Sequence, residues 1–150
     1  MGGKLSWAIF WALVGTFFVV IASVFVIPVV RDLLRGFPVI AIWVVFFLLG
    51  VALIFFTVKE KVGGALKWFQ LLTGASAIGI PVSIFLHNAI YGLFIQWFGA
   101  GFWDRIGVGD EPFFFIMAII VCPIGFLVGA VGSIVLTIKK SRRTKQSSSL

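Results

Sequence analysis

Val39–Val58 reads VIAIWVVFFLLGVALIFFTV, an apolar run with no charged residue. As an α-helix rising 1.5 Å per residue it is about 30 Å long, which matches the hydrocarbon core of a bilayer. A barrel strand would cross the same core with about ten residues, alternating apolar and polar side chains. The run is too long and too uniformly apolar for that, so it reads as a transmembrane helix. Working outward, the same character recurs. Leu5–Val30 carries no charge after Lys4. It is longer than a signal-peptide core and has no clean small-x-small cleavage site, so it reads as a retained, tilted span. Phe69–Phe98 and Phe113–Ile138 complete the set. The predicted fold is all-α, an integral membrane four-helix transmembrane bundle over residues 1–138, with spans at about 5–30, 39–58, 69–98 and 113–138. Residues 139–150 are expected to form a basic, mobile cytoplasmic tail.

The connections carry turn signals. In Arg31–Pro38, Gly36 can turn the chain and Pro38 suits a first helical turn. Lys59–Lys67 has Gly63-Gly64 as its flexible point. In Gly99–Pro112, Asp110 is expected to cap the fourth helix, with Pro112 in that helix's first turn.

Composition agrees with the membrane class. The chain is 61% hydrophobic and 11% charged, where a soluble domain is roughly a quarter charged. A soluble fold of this size has too much surface to hide so many apolar side chains. The net charge of +7 does not indicate nucleic acid, because five of the basic residues sit together between Lys139 and Lys145, directly after an apolar run. Such clusters set orientation and attract anionic lipid head groups. With the N-terminus cytoplasmic, nine Lys and Arg residues fall on that side and three on the other. The positive-inside rule therefore predicts both termini in the cytoplasm. The one cysteine, Cys122, excludes an intrachain disulfide and any Cys-rich metal centre.

Two rows of small residues predict helix packing. Gly125, Gly129 and Ser133 recur at i+4 on the fourth span, and Ala75, Gly79 and Ser83 do so on the third. Such ridges let another helix backbone approach closely, either within the chain or in a homo-oligomer. Gly2 fits an N-myristoylation pattern, although the adjoining helix makes a lipid anchor redundant.

All five acids, at 32, 60, 104, 110 and 111, fall in loops. Coupled transport of protons or cations usually needs a carboxylate at membrane depth, so that class is disfavoured. The third span is the most polar, and His87, Asn88 and Tyr91 are its candidate cluster. His87 and Tyr91 share a helix face at i, i+4. Trp68 and Trp97 are taken as the ends of this span, which places His87 about 7 Å from the bilayer centre. At that depth His87 or Asn88 is expected to donate to the backbone near Ile119, whose helix partner Pro123 lacks an N–H. The bland reading is a hydrogen bond that fixes helix register. The functional one adds a lipid, a quinone or, with a second ligand from elsewhere, a haem.

Leu71–Ser76, His87-Asn88 with Tyr91, and Gly109–Phe115 resemble a family of small prokaryotic multi-span membrane proteins of no known activity. The resemblance covers roughly the second half of the chain and implies a prokaryotic cell (inner) membrane. The leading expectation is a non-enzymatic accessory or packing subunit with no cofactor, partnered by the lipid bilayer, by another membrane protein or by its own copies. A small oligomeric channel or transporter is the alternative, and a quinone- or haem-associated subunit the third.

Overall fold

A computed structural model describes residues 4–25 and 37–147. Gly2, Pro28 and the Arg31–Gly36 connection lie outside the described residues. Helix α1 spans Lys4–Phe25, α2 Phe37–Lys59 and α3 Gly64–Phe98. A single turn, α4, covers Phe102–Arg105. The last long helix starts as α5, Pro112–Ile116, passes through a π-helical turn at Met117–Val121 and continues as α6, Cys122–Ser147. Among the described residues, four helices are long and apolar enough to cross a membrane.

The helices run antiparallel in chain order, with α3 at the centre between α2 and α6, and α1 against α2. Phe17 of α1 reaches across the core and stacks on Phe126 of α6 at 4.2 Å. Phe10, Leu13, Phe46, Leu53 and Phe126 are essentially fully buried. The outer face is apolar too, with Phe18, Ile40, Phe55, Phe85 and Ile124 all more than half exposed. A helix apolar on every side, in a bundle too small to enclose it, is built for an apolar solvent.

The turn between α2 and α3 differs from expectation. Gly64 takes a left-handed φ of 64° at the start of α3, as a flexible point there would, but it is Lys61, at φ 51°, that ends α2. The Lys61 N–H bonds the Val58 carbonyl at 3.1 Å and the Val62 N–H bonds the Thr57 carbonyl at 3.1 Å. This is a Schellman ending, and the buried Val62 supplies its apolar contact. The turn also carries Glu60 under the first turn of α1. Its carboxylate accepts the main-chain N–H of Ser6 at 3.0 Å and of Leu5 at 3.3 Å. An acid at a helix N-terminus meets unpaired N–H groups and the positive end of the dipole.

Hydrogen bonds from Ser6, side chain first, hold the Glu60 carboxyl below its ordinary 4.5. A depressed acid contributes stability above 4.5 and loses it as pH falls through the folded value. Detergent-solubilised protein is therefore expected to lose more thermal stability below about pH 4.5 than the Glu60→Gln variant does. Identical acid profiles would remove Glu60 from the account.

The last helix does not stop at Ile138. Residues expected to form a mobile tail continue it to Ser147. At the other end of the bundle, α3 outruns its neighbours. At 35 residues it is about 52 Å long. Its last turns, from Tyr91, pack on α4 rather than on another long helix, through Phe94, Phe102 and Trp103.

Candidate functional site

His87 stands where the last long helix begins. Its Nδ1 lies 3.1 Å from the main-chain oxygen of Glu111 and 3.4 Å from Glu111 Oε2. A carbonyl oxygen only accepts, so Nδ1 carries the proton. Nε2 faces Asp110 Oδ2 at 3.6 Å, long for a hydrogen bond and an ion pair only with the ring protonated. The ring also packs beside Phe115, with centroids 5.6 Å apart.

Glu111, not Asp110, is the cap. It directly precedes Pro112, so the second and third helical N–H groups are those of Phe113 and Phe114. Glu111 Oε1 accepts the first at 2.8 Å and Oε2 the second at 3.0 Å. Asp110 is one residue too early for this role and accepts the Glu111 N–H instead, at 2.7 Å. Glu111 is only 5% exposed. Its position in a loop gave no hint of that burial, because α3 continues past the loop and covers it. His87, Asp110 and Glu111 together form a latch that ties α3 to the start of the last helix.

The expected donation to Ile119 is not made. The expected level of His87 against the last helix fails, because Trp97 lies on the overhanging end of α3. His87 is level with Glu111, not with Pro123. Asn88 turns its Nδ2 back to the Ile84 carbonyl at 2.8 Å, four residues earlier. Pro123 is accommodated within its own helix. The Cys122 N–H bonds the Met117 carbonyl, five residues back, and this wider turn adjusts the ladder where the proline ring would crowd it. Tyr91 parts from His87. It stacks on Trp103 at 5.8 Å and 10°, and its carbonyl accepts Trp103 Nε1–H at 3.3 Å.

A cavity of about 450 Å³ adjoins the latch. All four long helices line it: α1 through Phe17 and Val20, α2 through Trp43 and Phe46, α3 through Ile80, Ile84, His87 and Asn88, and the last helix through Phe115, Ala118, Ile119 and Pro123. His87 and Asn88 are its polar residues. Phe115 and Ile119 are about half exposed, so it is a cleft rather than a sealed void. The π turn places Ala118, a small side chain, on its wall. No protein-family model, curated protein or solved structure matches the chain. Its functional reading rests on the site itself.

The small residues sort differently from their sequence rows. Gly125 faces Ser76 of α3, Gly129 faces Thr73 and the Phe69 carbonyl, and Gly79 faces Cys122. Ser83 is buried. Ser133 is fully buried, its hydroxyl without a partner among the described residues. Ala75, however, is exposed. Repeated steps of four advance 40° each around the helix, so the row drifts off the contact. The contact follows Phe69, Thr73, Ser76 and Gly79 instead, mixing steps of four and three. Sequence reading missed Gln70. It is fully buried, accepts the Thr57 hydroxyl at 3.1 Å and has no partner for Nε2 among the described residues. Its signal was an amide just inside the apolar run, beside a threonine at the end of the preceding helix.

Proposed function

We propose that the protein is a non-enzymatic, four-span membrane protein that holds a lipophilic molecule in the His87 cavity, with both termini in the cytoplasm. The cavity carries the reading: four spans converge on an apolar space with polar groups at one edge, the form of a site for an apolar body with one hydrogen-bonding head. The class of ligand is a lipid or a quinone. The His87 proton on Nδ1 is committed to Glu111, so Nε2 and the Asn88 amide oxygen are left to accept from a ligand's hydroxyl, and the second Asn88 N–H is left to donate to a carbonyl.

The test uses Trp43, which lines the cavity. A brominated fatty alcohol is expected to quench the parent's fluorescence saturably, and quenching should fall in Trp43→Phe. Ala118→Leu and Ile84→Trp, which fill the space, should each weaken binding at least tenfold. Equal quenching in the parent and in both filled variants would show that the probe dissolves in the micelle alone.

Orientation is tested separately. The excess of basic residues on the side of the termini predicts that single cysteines at Ser147 and Gly107, introduced in a Cys122→Ala background, label from opposite sides with an impermeant reagent. Labelling of both from one side would reject the topology.

A second reading is the accessory subunit. Asn88 is exposed and also lines an apolar groove between α2 and α3, with Ile40, Val44 and Phe85. An amide on an apolar outer face suits a neighbouring helix that hydrogen-bonds to it. Co-purification of a stoichiometric partner, lost in Asn88→Leu, would favour this reading.

A further inference from the structure

A second groove, of about 600 Å³, lies at the other end of the bundle, between the start of α1, the turn into α3 and the end of α6. Trp7, Leu66 and Leu136 give it apolar walls, and Lys139, Lys140 and Arg143 form its basic rim. Lys139 and Arg143 are exposed and spaced i, i+4, so they stand one above the other on a single face of α6. Neither makes an ion pair among the described residues. Among those residues Glu60 is the one acid at this end, and the N–H groups of α1 already hold its carboxylate. Lys139 and Arg143 therefore keep their positive charge while the walls beneath them remain apolar.

We propose that this groove is a binding site for an anionic phospholipid. The phosphate lies between Lys139 and Arg143, and an acyl chain runs down past Trp7, Leu66 and Leu136. An arginine offers a planar pair of donors to phosphate oxygens, and a lysine adds a point charge beside it. Apolar walls favour a lipid over free phosphate, and two uncompensated cations favour an anionic over a zwitterionic head group. The site stands at the boundary where the apolar surface of α6 gives way to charge, which is head-group depth in the bilayer reading on which this inference rests.

The experiment compares phosphatidylglycerol, phosphatidylcholine and inorganic phosphate as ligands of the delipidated full chain in detergent, with bound lipid counted by native mass spectrometry. Phosphatidylglycerol should bind most tightly. Lys139→Gln/Arg143→Gln should weaken it about 30-fold, from roughly fivefold per near-surface cation. Lys59→Gln/Lys67→Gln removes the same charge outside the groove and should weaken it less than threefold. All of these positions are exposed or partly exposed, so the variants keep the packed core. Equal affinity for phosphatidylcholine would overturn the proposal. So would displacement of the lipid by inorganic phosphate alone, or equal losses in the two double variants, which would mean diffuse attraction rather than a site. A chain that stays in membranes without preferring anionic lipid loses this site only. A chain that does not partition into membranes loses the bilayer reading as well.

Discussion

Gly129→Ala is expected to destabilise the protein by about 2–3 kcal/mol, near the upper end of what overpacking a tight contact usually costs. A Cβ at this position would sit 2.7 Å from the Thr73 main-chain nitrogen and 2.8 Å from the Phe69 carbonyl oxygen. Both are backbone atoms of α3, so no side-chain rotation relieves the clash, and the two helices must separate. That contact is the most extensive between any two helices. Alanine's better helix propensity offsets only about 1 kcal/mol. The neighbouring Gly125→Ala meets the Ser76 Oγ first. A hydroxymethyl group can turn aside, so a smaller loss is expected there. Gly92→Ala meets nothing within 4 Å and should be neutral or slightly stabilising. Thermal unfolding in detergent distinguishes the three. If Gly129→Ala melts with the parent, α3 and α6 are not held at the separation described.

Glu111→Ala is expected to have the second large effect, about 2 kcal/mol or more. The change removes two oxygens that satisfy the Phe113 and Phe114 N–H groups, and an N-cap contributes about 1 kcal/mol by itself. It also removes an acceptor from His87 in a site that is mostly covered, where a charged partner adds about 1.5–3 kcal/mol. Asp110→Ala should cost less, because Asp110 is half exposed and lies 3.6 Å from the ring. Glu111→Gln keeps one acceptor oxygen and should fall between the parent and the alanine variant. His87→Ala tests the coupling. If Glu111 acts mainly through His87, the double variant will be little worse than either single one. Equal and small losses for Asp110→Ala and Glu111→Ala would mean that the cap has been assigned to the wrong residue. The lipophile titration adds a functional readout, since loosening the latch moves the polar edge of the cavity.

These two sites show different relations between sequence and structure. Gly129 was legible as a packing residue, because a glycine flanked by small residues four positions either way has few other uses on an apolar helix. Its partners were not, because helix–helix register depends on how two surfaces interlock. Ala75 shared the row and still faces out. Glu111 was hidden for another reason. The loop sequence offered two acids before Pro112, and only the chain's path shows which oxygen reaches the N–H groups and which acid α3 covers. The level of His87 against the last helix was missed similarly. Tryptophan markers assume that a helix ends with its bundle, and α3 overhangs its neighbours by about two turns.

The sequence by itself determined the four long helices and the class of solvent that they suit. Continuous apolar runs of helical length leave no other way to satisfy the backbone, and that demand is local, met within each segment. It also placed the glycines that allow close approach and the basic cluster at one end. Only the tertiary structure decided the register between α3 and the last helix, the burial of Glu111 beside His87, and the parting of Tyr91 from the cluster. It likewise decided that a cavity opens where the four long helices converge. These features depend on residues far apart in the chain meeting at one depth. That depth is set by packing summed over whole helices, with the π turn before Pro123 adding an offset that no local pattern announces.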